Sequence, residues 1–154
     1  MRGEHRTLNA SKLDEAVRAS FSCLYDSGAF IPSQPVFTAV SGGPDSLALC
    51  DVVRRLCRAT GHPHIALIVD HGLRTESADE ARSVQARLKK QGIEAVCLPV
   101  MAPPPLSGKL EWARQQRFAL LTSYVRARRG VIMLGHHRDD QAETVGMRLA
   151  HGTG

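Results

Sequence analysis

A loop rich in glycine and serine carries the clearest chemical signal in the sequence, Ser41-Gly42-Gly43-Pro44-Asp45-Ser46. Its glycines let the backbone approach phosphate oxygens, its serines supply hydroxyl groups, and its proline suits the first turn of a helix. The carboxylate of Asp45 would repel phosphates unless a cation lay between them, so the loop predicts a site for a polyphosphate complexed with Mg²⁺. The alternative is that Ser41 and Asp45 only cap a helix.

Short apolar runs that alternate with longer amphipathic runs must position this loop. Four runs are typical of buried strands: Val36–Val40, Ile65–Asp70, Ala95–Pro99 and Val131–Gly135. The predicted helices are Leu13–Tyr25, Asp45–Thr60, Ser77–Gln91, Glu111–Arg128 and a last one that begins near Asp140. Since the strand segments are apolar throughout, both faces of their sheet must be covered. The order predicts an α/β fold with a doubly wound parallel sheet and helices on both faces.

Two local patterns refine the ends of these elements. Ser77 and Glu80 have the spacing of a capping box, which predicts the start of the third helix. The final predicted helix covers Glu143–Leu149, and Gly152-Thr153-Gly154 resembles the middle of a loop. One edge or face of the sheet would then stay uncovered and expose an apolar patch. We therefore expect the fold to be truncated at its carboxyl end, with a homodimer as one way to cover that surface.

Composition limits the class of protein. The 154 residues are 43% hydrophobic and 5% aromatic, which is typical of one soluble globular domain. The longest apolar run, Ile65–Val69, is too short to cross a membrane, and the polar first residues do not resemble a signal peptide. We therefore expect a cytoplasmic location. The four cysteines form no C-x-x-C pair, so we expect them to be small buried apolar residues.

Basic residues are concentrated in the second half of the chain. The net charge is +5, and between Ala81 and Leu134 ten Lys and Arg residues accompany only two Glu residues. A region of this charge favours a polyanionic partner, nucleic acid first. The alternative is a set of solvated helix faces.

The loop at residues 41–46 resembles the Ser-Gly-Gly-x-Asp-Ser signature of the PP-loop ATP pyrophosphatase superfamily. Three further segments, 69–81, 110–118 and 135–144, resemble motifs of the tRNA(Ile)-lysidine synthetase family in the same order. The resemblance implies that ATP adenylates the C2 oxygen of the wobble cytidine in an isoleucine tRNA with a CAU anticodon. The amino group of free L-lysine then displaces AMP and forms lysidine, diphosphate having left in the first step.

The resemblance also implies roles for individual residues. Asp70 and His71, at the tip of the second strand, are expected to join Ser41–Ser46 in binding ATP. Catalytic roles are expected for Arg114, His136 and Asp140, and Mg²⁺ binding for Asp45 and Asp139.

Purely structural roles remain open alternatives for the same residues. One aspartate of the pair Asp139 and Asp140 is expected to cap the last helix, and His71 could be an ordinary loop histidine. Arg114 could form a surface ion pair with Glu111, three residues before it.

The sequence predicts two segments, and two other functions remain as alternatives. Residues 1–35 are predicted to form an N-terminal helical extension, and residues 36–154 a PP-loop ATP-binding domain that is incomplete at its carboxyl end. One alternative function is that of a tRNA thiolase of the same superfamily, which the lack of a C-x-x-C pair disfavours. The other is a non-catalytic remnant that binds a nucleotide or RNA. Lysidine synthetases are longer than this chain, so activity of the 154 residues alone is not implied.

Overall fold

The computed structural model describes residues 10–135 and the backbone of residues 145–148. Its helices are α1 (Ala10–Asp26), α2 (Pro44–Thr60), α3 (Ser77–Lys90) and α4 (Lys109–Ala127). Its strands are β1 (Val36–Ala39), β2 (His64–Asp70), β3 (Glu94–Pro99), β4 (Val131–Gly135) and β5 (Val145–Arg148). The first four predicted helices and the four predicted strands are confirmed, with small differences at their ends.

The strands form one sheet in the order β3-β2-β1-β4-β5. The first four strands are parallel, and β1 lies at their centre between β2 and β4. From β1 the chain moves outward through β2 to β3 and then returns to the other side of β1 as β4. This reversal places the switch point of the sheet between β1 and β4, and open α/β sheets bind ligands at the carboxyl ends of the strands near such a point.

The sheet is covered on both faces, as predicted. Along β1, Val36 and Val40 pack towards α1, α2 and α3, whereas Phe37 packs against α4. Two core clusters with buried residues of α1, α2 and α3 fill the first face, and one cluster built on Leu121 and Val125 fills the second. The doubly wound parallel sheet is therefore confirmed.

The prediction of a helix over Glu143–Leu149 is wrong at Val145–Arg148. These residues form β5, which is antiparallel to β4, with Met147 opposite Met133. Four residues are too few for a pattern that separates a strand from a helix, and the edge of β4 offers backbone hydrogen bonds that decide between the two. Strand β5 thus pairs with the edge of β4 that faces away from β1; the rest of the predicted helix lies outside the described residues.

The predicted capping box of α3 is also wrong. Glu76 occupies the N-cap position, and the Ser77 hydroxyl donates to the carbonyl oxygen of Arg74 at 2.9 Å. The carboxylate of Glu80 accepts a hydrogen bond from Arg74 instead of from the start of the helix. An arginine close in space therefore outcompetes the local capping interaction.

Helix α1 shares the core of the sheet through Leu13, Val17, Phe21 and Leu24. Its last turn is joined to the turn between α2 and β2 by a hydrogen bond of 2.6 Å between Tyr25 Oη and His62 Nε2. The division of the chain into residues 1–35 and 36–154 stays a prediction.

The four cysteines differ in burial. Cys50 and Cys57 are buried as predicted, whereas Cys97 is half-buried and Cys23 is exposed on the outer face of α1. Of the helices that the structure describes, none is both long enough and apolar enough to span a bilayer.

Candidate functional site

A cavity of about 270 Å³ lies at the carboxyl ends of β1 and β2. The loop after β1 contributes Ser41, and the end of β2 contributes Asp70 and His71. Helix α3 forms one wall with Ser77 and Glu80, and α4 contributes a single side chain, Arg117. The cavity therefore collects three of the residues that the sequence analysis selected for ATP binding.

Gly42 is required by the backbone of the loop. Its φ is 94°, a value that L side chains rarely adopt, and a Cβ atom there would lie 2.9 Å from Cγ2 of Val84 in α3. Gly43 has an extended backbone with φ −71°, and a Cβ atom there would meet only the Ser41 hydroxyl oxygen, at 3.7 Å. Gly42 thus lets the loop pass close to α3, while Gly43 leaves open space beside the helix.

The first turn of α2 faces this open space. Gly43 is the N-cap, so no side chain at that position caps the helix, and Pro44 occupies the first turn as predicted. The Ser46 hydroxyl donates to the carbonyl oxygen of Gly43 at 3.0 Å and lies 3.2 Å from the Ser41 hydroxyl. Ser41 is therefore bound within the loop and is not the cap that the alternative interpretation requires. The positive end of the α2 dipole favours an anion, and the Asp45 carboxylate stands in the same turn.

Asp70 and His71 differ in how their polar atoms are satisfied. A carboxylate oxygen of Asp70 accepts a hydrogen bond from the backbone N–H of Gly72 at 3.0 Å. Nδ1 of His71 is buried and has no hydrogen-bond partner among the residues that the structure describes. Burial lowers the pKa of His71, Arg117 lowers it further, and Asp70 opposes them. The imidazole is therefore neutral at neutral pH, with a nitrogen available to a ligand.

Arg117 lines the cavity, although the sequence analysis gave this residue no role in the site. Burial lowers the pKa of its guanidinium group, and within residues 10–135 no carboxylate pairs with it. A signal was present in the sequence: Ala113, Leu121 and Val125 are the buried positions of α4, and Arg117 stands between them at the same spacing of four. A charged residue in the buried stripe of a helix needs a polar environment, which the cavity supplies.

The second arginine of the cavity is already neutralised. Arg74 forms an ion pair of 2.9 Å with Glu80, and both side chains are largely exposed. Glu80 is thus engaged with Arg74, which leaves Arg117 as a cation that faces the cavity without such a partner in the described part of the chain.

Arg114 lies elsewhere on α4. It is exposed and does not line the cavity. The alternative of an ion pair with Glu111 is not observed among the described residues, since the Glu111 carboxylate accepts a hydrogen bond from Gln115 at 3.3 Å. Its catalytic role stays a prediction.

His136, Asp139 and Asp140 lie outside the described residues. The chain reaches them from Gly135, the last residue of β4, which is the strand beside β1. Within residues 10–135 no three His, Cys, Asp or Glu side chains gather into a metal site. Of the two predicted Mg²⁺ ligands, only Asp45, in the first turn of α2, belongs to the described part.

The basic region divides into two groups. Each helix that follows a strand begins at the carboxyl edge of the sheet and runs back to the opposite edge. Four of the ten lie in the first halves of α3 and α4, on the side of the cavity: Arg82, Lys109, Arg114 and Arg117. The other six lie at or just beyond the far ends of these helices: Arg87, Lys89, Lys90, Arg126, Arg128 and Arg129. The two groups thus lie towards opposite edges of the sheet.

Curated relatives of this chain are tRNA(Ile)-lysidine synthases. That of Bradyrhizobium sp. is 41% identical over 81% of this chain and 36% of its own length. That of Zymomonas mobilis is 36% identical over all of this chain and 45% of its own length, and that of Methylobacterium sp. is 42% identical over 77% and 34%. The chain thus spans between a third and a half of the length of these relatives.

The fold and the family model agree with this relationship. The structure of the U34-tRNA thiolase NcsA from Methanococcus maripaludis, solved with its [4Fe-4S] cluster, superposes with a TM-score of 0.66. The two sequences are 15% identical, and the match covers 82% of this chain and 45% of the thiolase, so it establishes the fold. The family model described as the PP-loop domain matches residues 13–154. The chain therefore belongs to the PP-loop domain family.

Proposed function

We propose that this chain binds ATP with Mg²⁺ and takes part in the formation of lysidine on an isoleucine tRNA with a CAU anticodon. The observation that carries the proposal is the arrangement of the loop at residues 41–46. The helix N-terminus that follows the loop has no side-chain cap at Gly43. Ser41, the first residue of the loop and the only one of the six that lines it, borders a cavity of about 270 Å³. A helix N-terminus favours phosphate, and the cavity lies at the carboxyl ends of the strands, where α/β sheets bind nucleotides.

The residues of the chain have separable tasks in this proposal. The α2 N-terminus and the hydroxyls of Ser41 and Ser46 bind the phosphates, and Asp70 and His71 contact the nucleoside end. Asp45 and Asp139 hold Mg²⁺, which neutralises phosphate charge when bound. The predicted catalytic residues Arg114, His136 and Asp140 act on the groups that react.

The chemistry assigned to the catalytic residues follows from their types. The guanidinium of Arg114 stabilises the charge that develops as diphosphate leaves the α-phosphorus, because its fork donates two parallel hydrogen bonds. His136 and Asp140 accept the proton that the lysine amine loses when it attacks C2 and AMP departs.

The cysteines favour lysidine formation over thiolation. The thiolase with the same fold was solved with an iron–sulfur cluster. Here Cys50 and Cys57 are buried in α2, Cys97 lies on β3, and Cys23 is exposed on α1. Burial raises the pKa of Cys50 and of Cys57 to about 12, which disfavours the thiolate that a cluster ligand requires.

Release of diphosphate from ATP tests the reaction. The chain is incubated with ATP, Mg²⁺, L-lysine and unmodified isoleucine tRNA, and each component is omitted in turn. We expect diphosphate release that requires the tRNA, and lysidine in the digested tRNA only when lysine is present. A tRNA whose wobble cytidine is replaced by uridine is the matched control, since it lacks the amino-pyrimidine that reacts.

Two results would contradict the proposal in different ways. ATP binding without tRNA-dependent diphosphate release would leave the non-catalytic nucleotide-binding alternative. Diphosphate release that depends on a sulfur donor instead of lysine would support the thiolase alternative.

A further inference from the structure

Among the described residues, Arg117 has no partner that explains why α4 holds a cation at a largely buried position. Its neighbours in the buried stripe of the helix, Ala113, Leu121 and Val125, are all apolar. In the described part of the chain it forms no ion pair, and the only other cavity arginine, Arg74, is paired with Glu80. Such a cation destabilises the empty protein unless a bound anion compensates it.

The groups that face Arg117 point to an anionic ligand. His71, whose pKa Arg117 lowers, is neutral and leaves Nδ1 without a hydrogen bond. Ser41, also in the cavity wall, begins the loop that leads to the α2 N-terminus. A nucleotide can place its nucleoside in the cavity, beside His71 and Arg117, and its outer phosphates on the loop that leads to α2. Its first phosphate then lies between the cavity and the loop.

We propose that Arg117 binds the phosphate group that is attached directly to the nucleoside of the bound nucleotide. This inference rests on the proposed function, because it takes the ligand to be an adenine nucleotide. The planar guanidinium donates two hydrogen bonds to the oxygens of this phosphate, and the partial burial of Arg117 strengthens both. Arg117 is thus a binding residue that distinguishes a nucleotide from a nucleoside.

A comparison of AMP with adenosine tests the inference by calorimetry. AMP carries the first phosphate alone, and adenosine carries none. We expect the chain to bind AMP at least about tenfold more tightly than adenosine, the usual strength of a charge-assisted pair of hydrogen bonds. In Arg117→Met this ratio should fall close to one while adenosine affinity is kept. Arg117→Lys should keep part of the ratio, because an ammonium group retains the charge but not the fork.

Arg126→Met is the matched control, since it removes the same charge from an exposed position at the far end of α4. Its ratio of AMP to adenosine affinity should equal that of the unmodified chain. The melting temperature without ligand gives a second readout: it should rise in Arg117→Met, which removes the uncompensated cation, and stay unchanged in Arg126→Met.

Each result has a distinct meaning. An unchanged ratio in Arg117→Met would overturn the inference and leave ATP binding intact. An equal loss of AMP and adenosine affinity would also overturn it, because Arg117 would then stack on the base or shape the cavity. If Arg117→Met does not fold, an unchanged ratio in Arg117→Lys contradicts the inference. Binding of neither ligand nor ATP by the unmodified chain would overturn the proposed function itself.

Discussion

At the scale of single residues, the two adjacent glycines of the loop do different work. We predict that Gly42→Ala lowers the free energy of unfolding by about 1–2 kcal/mol, because φ must stay positive and the new methyl group meets Val84. Gly43→Ala should change it by less than about 0.5 kcal/mol, since its backbone is ordinary and its surroundings are open. Urea denaturation of both variants measures the difference. Equal destabilisation would show that the loop does not have this conformation.

Site residues that belong to a sequence motif could be predicted. A site residue whose position depends on the packing of a helix could not. Ser41, Asp70 and His71 were selected from the sequence and meet at the cavity. Arg117 was passed over for Arg114 because both belong to one charged stretch of α4, although its spacing of four from Ala113 and Leu121 favours Arg117 as the one that faces the interior. The rotation of α4 on the sheet decides it, and that rotation follows from Leu121 and Val125 packing on the strands.

At the scale of the elements, β1 and β2 share a buried polar pair that couples their packing to pH. His64 Nε2 lies 2.8 Å from the Thr38 hydroxyl. Burial, assisted by Arg54, lowers the pKa of His64 from 6.5 to about 4. The unfolded chain therefore takes up a proton on His64 at a higher pH than the folded chain. The stability that neutral His64 contributes is complete above pH 6.5 and is lost as the pH falls towards 4.

We predict that the free energy of unfolding falls by as much as about 3 kcal/mol between pH 6.5 and 4 through His64 alone. In His64→Gln this part of the slope should disappear, because glutamine can keep a hydrogen bond to Thr38 but does not titrate. Denaturant titrations at several pH values measure the slopes. Parallel slopes in the two proteins would mean that His64 titrates normally.

The elements of the parallel sheet were predictable because each strand is apolar throughout and each helix has a distinct buried stripe. Strand β5 was not, because Val145–Arg148 carries no pattern that separates a strand from a helix, and only the open edge of β4 selects between them. The start of α3 was missed for a similar reason. Its capping pattern was local, whereas the ion pair between Arg74 and Glu80 depends on the turn before it.

At the scale of the whole molecule, α1 should fold together with the sheet. Val17 is fully buried in the cluster that contains α2 and β4. We predict that Val17→Ala lowers the stability of the whole unit by about 2 kcal/mol. Fluorescence of Trp112, the one tryptophan of the chain, reports from α4 on the other face of the sheet. Its unfolding midpoint should shift with the midpoint of the circular dichroism signal.

The exposed exchange Ser22→Ala on the same helix is the control and should leave both midpoints unchanged. A Trp112 transition that stays in place while part of the dichroism is lost earlier would show that residues 1–35 fold as a separate unit.

The division of the basic residues predicts where RNA makes contact. Lys109→Ala with Arg114→Ala should weaken binding of isoleucine tRNA and reduce the slope of log affinity against log salt by about one to two, because phosphate contacts release counterions. Lys89→Ala with Arg126→Ala removes the same charge from the opposite edge of the sheet and should leave the slope unchanged. Filter binding at several salt concentrations measures both. Equal slopes in the two double variants would mean that the charge acts without a defined contact surface.

ATP binding to the loop at residues 41–46 is the property on which every proposed role depends, and calorimetry with ATP and Mg²⁺ measures it directly. We predict one ATP per chain, with binding strongly weakened by EDTA and abolished in Gly43→Val, whose side chain fills the space in front of the α2 N-terminus. Ala59→Val adds a similar side chain at the exposed far end of the same helix and should bind ATP as the unmodified chain does. Unchanged ATP affinity in a folded Gly43→Val variant, or no ATP binding by the unmodified chain, would contradict the account.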